Sequence, residues 1–437
     1  MPDVLHTDPS DWKYVSEGGA TIVYSYKGAT HADFDGTVLR LRKAPVGMAD
    51  TPSTSLEGEE DPDDPTIAFQ TKCMERLIPP EHLPRLVNVH LNRTWLEKLV
   101  EMHDRERPEL RRAKDAIDLN KHKGVLATDL VGGNRLAVEI KPKWAFLPSP
   151  VYLSQESKHS KTNICRFCMH SQMRAARGLQ AATDYCPLDL FSGREERVLR
   201  AIRSLWQGWI TSDGAANNLK IFASGKFIRP IDSQALLADG CEPVKNMDVI
   251  RDAFAAALVQ PLLETPVLRI LSRLQRNLDV LDIEGLSDLW RRTESAVASL
   301  REQSNSVPPP TPIGGSSPFF NLLEPRIPDW TTFLDNYISL EKQFDASNPT
   351  ADSLRHYILA YLLSATFKDC SIIVRLKYLQ PGTVPQQVGG PQSVAIIDLD
   401  PKSMSKLGQW EKLDREIVAS YKPVEGKVCV DDWQPVM

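Results

Sequence analysis

The chain has 437 residues, of which 42% are hydrophobic and 25% are charged, an ordinary balance for a globular protein with core for two or three domains. No apolar run approaches the roughly 20 residues of a membrane helix, and the N-terminus lacks the basic start and apolar centre of a signal peptide. The formal net charge of -5 argues against a general nucleic-acid binder, which carries a basic surplus. We therefore expect a monomer inside the cell, in nucleus or cytoplasm, that needs neither nucleic acid nor membrane.

The start of the chain reads as β-strands. The segment WKYVSEGGATIVYSYKG holds two β-rich runs around Gly18 and Gly19, and a third run follows with Arg40 among apolar residues. A hairpin with glycines at its tip can lay backbone N–H groups over phosphates. Residues 45–65 are acidic and rich in Pro, Ser and Gly, which predicts a solvated loop.

From about residue 150 the pattern becomes helical. The segment NICRFCMHSQMRAARG predicts a helix that stops at Gly178, and SGREERVLRAIRSLWQGWI has apolar residues at helical spacing. Two late apolar strands carry acidic residues at their ends. The predicted organisation is a β-rich N-lobe over 1–130 and a larger C-lobe over 131–437, with a helical region at about 150–300 and a Pro- and Ser-rich linker at 303–318.

Three charged residues are spaced two apart in the segment AVEIKPK. On a strand, Glu139, Lys141 and Lys143 would share one face. Two lysines on one face suit phosphate, and the carboxylate of Glu139 is placed to orient one of them. A solvated edge strand explains the same spacing, and the spacing alone favours that explanation.

A cationic stripe is predicted on the helix that follows. Arg166, His170 and Arg174 are four residues apart, so they lie on one helix face, and arginine binds phosphate with a planar fork. A solvated face is the alternative, although no acid interrupts the stripe. Further on, the neighbouring Asn217 and Asn218 are typical of a turn and also suit hydroxyls and phosphates.

Acidic residues near the C-terminus are the candidate catalytic and metal-binding groups. Asp369 stands between a buried-looking helix and an apolar strand, an awkward place for an acid unless it has a chemical role. Asp398 and Asp400 end the next apolar strand, with Lys402 and Lys406 beyond. Carboxylates at a strand end suit Mg²⁺, whereas a cap or turn explains any one of them equally well.

The cysteines include half of a zinc signature. Seven scattered cysteines do not form a disulfide framework. Cys165 and Cys168 form a CxxC pair, with His159 before it and Cys186 after it, and these four are the candidate zinc ligands. Because no second CxxC exists, buried structural cysteines remain the plainer interpretation.

Several strings resemble the inositol-pentakisphosphate 2-kinase family. They run in the family order from residue 16 to residue 402 and cover roughly the whole chain: EGGATIVYSY, VLRLRK, VEIKPKWAFLP, NICRFCMHSQMR, DYCPLDLFSG, NNLKIF, LDIEGL, ATFKDCSII and IIDLDPK. The resemblance implies an α+β, two-lobed, kinase-like fold of the inositol polyphosphate kinase type, with a helical inositide-binding region in the larger lobe. It also implies transfer of the ATP γ-phosphate to the 2-hydroxyl of inositol 1,3,4,5,6-pentakisphosphate, giving inositol hexakisphosphate.

Three other functions stay open. One is a catalytically silent scaffold of the same fold that binds inositol phosphates, although loss of Asp369 or Asp398 would be its expected sign and both are present. The second is a kinase of other inositides or of small polyols. The third is a zinc-dependent interaction module around Cys165 and Cys168.

The resemblance also implies roles for individual residues. Asp369 would be the base for the 2-hydroxyl, with Lys141 beside it in the catalytic centre, and Asp129 would lie in the hinge between the lobes and read the adenine. The residues expected to bind ATP and Mg²⁺ are Gly18, Gly19, Arg40, Asp129, Glu139, Asn217 and Asp398, the last as the Mg²⁺ ligand. Those expected to bind inositide phosphates are Lys143, Arg166, His170, Arg174, Asn218, Lys220, Lys402 and Lys406.

Overall fold

The computed structural model describes residues 1–47, 63–180, 183–303, 324–339, 344–347, 350–382 and 393–432. Most of the predicted 45–65 loop and nearly all of the predicted 303–318 linker lie outside this described part. The strands are β1 Trp12–Glu17, β2 Thr21–Tyr26, β3 Thr37–Pro45, β4 Leu86–His90, β5 Asp115–Ile117, β6 Lys123–Thr128, β7 Leu136–Ile140, β8 Leu219–Ala223, β9 Lys226–Ile228, β10 Ser371–Leu376 and β11 Val394–Ile397. The helices are α1 Pro65–Lys72, α2 Arg93–His103, α3 Glu109–Arg112, α4 Gln155–Asn163, α5 Arg166–Ala176, α6 Pro187–Leu190, α7 Glu195–Thr211, α8 Met247–Glu264, α9 Val267–Leu278, α10 Asp282–Gln303, α11 Ile327–Ser339, α12 Ala351–Asp369 and α13 Leu407–Ser420.

The first sheet is built from the early strands. Its order is β1-β2-β3-β6-β4, with β5 paired to β3, and all of its pairings are antiparallel. Ile22 and Tyr24, two residues apart on β2, are both fully buried, as the alternation of side chains along a strand requires. The predicted β-rich N-lobe is therefore confirmed.

The second sheet has the order β11-β10-β7-β8-β9. Side chains on its strands divide between two faces. Val138 and Ile140 of β7 belong to the large core that packs against helices. Ala137 of the same strand joins Phe222 and Ile373 in a separate apolar cluster on the opposite face. Because the side-chain period is two, Glu139 lies on the face of Ala137, away from the helices.

Helices cover one face of the second sheet. Helices α7, α8 and α9 contact strands of this sheet, and α12 packs on α9 and α10. Helix α12 is apolar around most of its circumference, which is typical of a buried helix, and it ends at Asp369. No single helix of the described part is long and apolar enough to cross a membrane. The helices over Met247–Glu264 and Val267–Ser295 reach that length and apolarity only as a pair, and the pair is bent by 62°.

The two sheets are joined by a short link over residues 129–135, and the mixed α+β fold with two lobes follows from this arrangement. The residue boundary predicted near 130 stays a prediction. Phe69, Met74 and Leu83 precede that boundary, yet they pack into the large core beside the second sheet. The first 130 residues therefore contribute to both cores.

Candidate active site

A charged cluster forms at the edge of the second sheet where β7 and β11 end and β10 begins. Strand β10 lies between β7 and β11, so Glu139, Ser371 and Asp398 come together. Ser371 Oγ lies 2.9 Å from Glu139 Oε1 and 3.2 Å from Asp398 Oδ2, and Lys220 Nζ lies 3.1 Å from Glu139 Oε2. Asp398 has a φ of +60°, and its side chain is 48% exposed. Strained backbone of this kind recurs at functional sites.

The prediction that Glu139, Lys141 and Lys143 share one strand face is wrong in its geometry. Strand β7 ends at Ile140, Pro142 has no N–H for a further ladder bond, and Lys143 has a φ of +68°. The turn that follows nevertheless brings both lysines to one acid, Asp369.

Three ammonium groups surround Asp369. Lys402 Nζ lies 2.8 Å from Oδ2 and Lys143 Nζ lies 3.4 Å from Oδ1. Lys141 Nζ lies 3.4 Å from the backbone oxygen of Asp369 and 3.4 Å from Asp398 Oδ2, so this lysine links the two acids. Burial acts to raise the pKa of Asp369, but the hydrogen bond from Lys402 and the charges of the three lysines outweigh it and hold the pKa below its ordinary value. Asp369 is therefore ionised at neutral pH.

Asp369 forms part of the wall of a cleft of about 930 Å³. Helix α5 supplies one wall, and the predicted stripe of Arg166, His170 and Arg174 faces into it. Asp369 is the one acid among the described residues that line the cleft. The basic side chains of the lining are Lys143, Arg166, His170, Arg174, Lys368, Lys402 and Lys406, and Asn217 and Asn218 lie on another wall. The cleft thus concentrates positive charge in a chain whose net charge is negative.

Two members of the stripe show the effect of this crowding. Burial and the charges of Arg166, Arg174, Lys143 and Arg177 lower the pKa of His170 to about 4. Arg174 Nε is buried and has no hydrogen-bond partner in the described part of the chain. A buried polar atom without a partner is unfavourable, and an anion in the cleft would supply one.

Most of the residues expected to bind nucleotide lie apart from the cleft; Asn217 is the exception, because it lines the cleft. Gly18 and Gly19 form the tip between β1 and β2, and Arg40 lies in β3; none of the three lines the cleft. Asp129 lies in the link between the sheets, where its carboxylate accepts hydrogen bonds from Ser25 Oγ at 2.6 Å and from the backbone N–H of Gly132 at 2.7 Å. The carboxylate thus fixes this turn, and its reading of adenine stays a prediction.

Two residues of the cleft wall were not predicted from the sequence. Lys368 is buried, forms an ion pair with Asp279, and holds its Nζ 4.0 Å from the centre of the Trp144 ring. Arg166 lies over the same ring, with 4.8 Å between Cζ and its centre. Both Lys368 and Trp144 adjoin residues that the sequence did single out, Asp369 and Lys143, but neither has a spacing of its own that signals a role.

The candidate zinc site is a group of four cysteines. Cys165, Cys168, Cys186 and Cys429 place their sulfur atoms within 4.8 Å of one another. Cys429 takes the place predicted for His159, which is exposed on α4. The sulfur of Cys186 lies 3.9 Å from that of Cys165 and 3.7 Å from that of Cys429. Tetrahedral zinc with Zn–S bonds of about 2.3 Å separates its sulfurs by about 3.8 Å, so the donor set fits zinc.

Comparison with known proteins identifies the family. The family model of the inositol-pentakisphosphate 2-kinases matches residues 14–416. The chain belongs to the inositol-pentakisphosphate 2-kinase family. It is 35% identical over 434 residues to the inositol-pentakisphosphate 2-kinase of Cryptococcus neoformans, covering 94% of this chain and 93% of that protein. It is 28% identical to the enzyme of that name from Oryza sativa, covering 100% and 98%, and 27% identical to that of Danio rerio, covering 95% and 93%.

Membership confirms the resemblance drawn from the sequence. The chain is an enzyme of the inositol-pentakisphosphate 2-kinase family, a transferase acting on small-molecule substrates of the inositol phosphate class. Its two antiparallel sheets and helical layer agree with a two-lobed kinase-like fold. The family model covers Asp369, Asp398, Lys402 and Lys406 as well as the stripe on α5.

Proposed function

We propose that this enzyme transfers the γ-phosphate of ATP to the 2-hydroxyl of inositol 1,3,4,5,6-pentakisphosphate, giving inositol hexakisphosphate and ADP. One observation carries the proposal. Asp369, the acid of the cleft lining, lies between the basic wall of the cleft and the strand-end cluster of Lys141 and Asp398. A hydroxyl acceptor bound in the cleft and a phosphate donor bound at the cluster would therefore meet at its carboxylate.

The charge of the cleft supports a highly phosphorylated acceptor. Each phosphate carries about −1.5 to −2 at neutral pH, so five carry roughly −8 to −10. The cleft offers basic side chains from α5, from the turn after β7 and from the segment that leads into α13. A small neutral polyol would leave these cations facing one another, which disfavours polyols as substrates. In our proposal Lys143, Arg166, His170, Arg174, Asn218, Lys402 and Lys406 bind inositide phosphates.

The strand-end cluster supports a nucleotide and its metal ion. Asp398 presents a half-exposed carboxylate beside Ser371 and Glu139, an all-oxygen donor set of the kind that Mg²⁺ prefers. We assign Asp398 as the Mg²⁺ ligand; a bound Mg²⁺ would neutralise charge on the transferred phosphate. Lys141 would contact phosphates of ATP, and Gly18, Gly19 and Arg40 of the first sheet would cover them. Lys220, which the sequence placed among the inositide-binding residues, pairs with Glu139 and is not among the residues that line the cleft, so we assign it to the ATP phosphates instead.

The chemical step then uses the residues around Asp369. Asp369 orients the 2-hydroxyl and accepts its proton while the hydroxyl oxygen bonds to the γ-phosphorus. The bond from that phosphorus to the bridging oxygen of ATP breaks, and ADP leaves with the bonding electrons. Lys143 and Lys402 offset the charge that builds up, and the cleft holds the acceptor in line with the donor. A lowered pKa makes Asp369 a weak base, which suits a loose transition state in which the hydroxyl loses its proton late.

We also propose that the four cysteines bind a structural zinc ion. Four thiolates around Zn²⁺ are a closed structural site that leaves no position open for substrate. Cys165 caps the N-terminus of α5 and Cys168 lies in its first turn, so the ion would fix the helix that carries the cationic stripe. Cys429 would tie the C-terminal segment to that helix.

A product analysis tests the proposed reaction. Purified protein is incubated with Mg-ATP and, separately, inositol 1,3,4,5,6-pentakisphosphate, less phosphorylated inositides and free inositol, and the products are resolved by ion exchange. We expect hexakisphosphate from the pentakisphosphate and the slowest turnover on free inositol. Phosphorylation of a less phosphorylated inositide at a higher kcat/KM would replace the proposed substrate.

A further inference from the structure

A buried carboxylate lies directly behind the cleft wall. Asp414 of α13 is 4% exposed and is not among the residues that line the cleft. Its Oδ1 accepts a hydrogen bond from Arg166 Nε at 2.8 Å, and its Oδ2 accepts one from Lys161 Nζ at 2.7 Å. Asp414 therefore connects a cation of the cleft wall with a buried cation of the interior.

On the interior side, Lys161 contacts two further acids besides Asp414. Lys161 of α4 is 2% exposed, and its Nζ also lies 2.5 Å from Asp282 Oδ1 and 3.4 Å from Glu284 Oε2. Asp282 begins α10 with a φ of +60°. The ammonium group thus joins three helices and fixes the position of Oδ2 of Asp414.

On the side of the cleft, the two Nη groups of the Arg166 guanidinium are available to a ligand. Its Nε is used by Asp414, and its Cζ lies 4.8 Å above the centre of the Trp144 ring. Neither Nη atom has a hydrogen-bond partner in the described part of the chain. The carboxylate and the ring together fix the plane of the guanidinium group, and the two Nη groups are the fork that binds a phosphate with two parallel hydrogen bonds.

We propose that Asp414 is a positioning residue that acts through Arg166, holding its guanidinium fork ready for one phosphate of the inositide. The inference rests on the proposed function for the identity of the ligand. A flexible arginine loses side-chain entropy when it binds, and a side chain already fixed in the bound geometry avoids part of that loss. Asp414 therefore raises inositide affinity without touching the inositide.

A purely structural ion pair is the alternative. Removing one partner of a buried pair destabilises a protein whether or not the pair serves a ligand. Asp282 offers the matched control, because it is equally buried and contacts the same Lys161 but not Arg166. A structural role predicts equal effects of the two acids on affinity, whereas a positioning role predicts an effect of Asp414 alone.

A double-mutant cycle tests the inference. Binding of inositol 1,3,4,5,6-pentakisphosphate is measured by calorimetry for wild type, Asp414→Asn, Arg166→Ala, the double variant and Asp282→Asn, with thermal unfolding of each. We expect Asp414→Asn to weaken binding about 10-fold and to have no further effect in the Arg166→Ala background. Asp282→Asn should lower the unfolding temperature but leave the affinity unchanged, and in assays Asp414→Asn should raise KM for the inositide with kcat nearly constant.

Two results would overturn the inference: an equal loss of affinity in Asp414→Asn and Asp282→Asn, or an undiminished effect of Asp414→Asn when Arg166 is absent. If Asp414→Asn does not fold, Arg166→Lys takes its place, since it keeps the charge and loses the fork, and unchanged affinity would then contradict the inference. If the wild type binds the pentakisphosphate but transfers no phosphate, the proposed reaction is refuted. The double-mutant cycle still tests the role of Asp414, because it measures only affinity. Wild-type protein that does not bind the pentakisphosphate would refute both.

Discussion

Lys402 Nζ lies 2.8 Å from Asp369 Oδ2, so the lysine expected to hold a substrate phosphate is paired with the expected base. Lys143 approaches the other oxygen of the same carboxylate. The acid thus partly neutralises cations that would otherwise repel one another in a cleft without anion. In the proposed reaction, an inositide would draw these lysines toward its phosphates, and that exchange would release the carboxylate for the hydroxyl.

This pairing predicts opposite effects of one substitution on binding and on catalysis. Asp369→Asn should lower kcat by about 10²–10⁴-fold, because the proton acceptor is lost. It should leave inositide affinity equal or higher, because Lys143 and Lys402 no longer have a competing carboxylate. Calorimetric affinity and steady-state turnover are the two measurements. Asp400→Asn is the matched control, since Asp400 is a nearby exposed acid bonded to Thr66; equal losses of turnover in the two variants would remove Asp369 from the step.

Asp398 is expected to set the requirement for Mg²⁺. Asp398→Asn should raise the Mg²⁺ concentration for half-maximal turnover by about 10-fold or more, because carboxylates are the main protein ligands of this ion. Ser371→Ala should raise it by less, because the hydroxyl orients Asp398 without being the assigned ligand. A Mg²⁺ titration of turnover at saturating ATP measures both. If Asp398→Asn reaches half-maximal turnover at the same Mg²⁺ concentration as the wild type, Asp398 is not the Mg²⁺ ligand.

His170 predicts a specific dependence of stability on pH. Its pKa is about 4 in the fold, against an ordinary value of 6.5. Between these values the unfolded chain binds more protons than the folded chain, so the free energy of unfolding decreases as pH falls from 6.5 to 4. His170→Gln should reduce that decrease, whereas substitution of the exposed His159 should not. Urea unfolding at pH 7 and pH 5 measures the difference, and an identical pH dependence in His170→Gln would contradict the prediction.

The four cysteines predict one zinc ion per chain. Cys429→Ser should lose the metal and lower the unfolding temperature by several degrees, because structural zinc contributes directly to folding stability. Cys241→Ser is the control, since Cys241 is partly buried, reduced and outside the group. Metal analysis of the purified proteins gives the stoichiometry. Absence of zinc from wild-type protein purified without chelators would leave the cysteines as a buried apolar cluster.

The sequence predicted those parts of the site that depend on local spacing. The stripe of Arg166, His170 and Arg174 follows from the helical period. Asp369 was singled out at the junction of α12 and β10, and Asp398 at the end of the apolar run of β11. It could not predict contacts between distant segments. Cys429 has no cysteine near it in the chain, and Asp414 reads as an ordinary polar position of an amphipathic helix. Both come close to the site only because the C-terminal segment packs beside α5, where Asp414 contacts Arg166 and Cys429 contacts Cys186.

In the fold, too, elements with a clear local pattern were predicted, whereas those that depend on tertiary contacts were not. Helix α7 was predicted from its amphipathic period, and α12 was predicted as a buried helix from its apolar composition. The end of β7 was misplaced, because the predicted strand face assumed that the alternation continues through Pro142, where the ladder stops. No element was predicted over the segment of α1, where Phe69 packs into the larger core. Short elements like this one are decided by tertiary packing rather than by local preference.

The most direct test of the account is a single-turnover reaction of the wild-type protein and Asp369→Asn with γ-labelled ATP, Mg²⁺ and inositol 1,3,4,5,6-pentakisphosphate. We expect labelled hexakisphosphate from the wild type, with the label on the 2-position, and at least 100-fold slower formation by the variant despite undiminished binding of the pentakisphosphate. Tight binding of the pentakisphosphate by the wild type, with no label transferred, would contradict it and identify an inositide-binding scaffold.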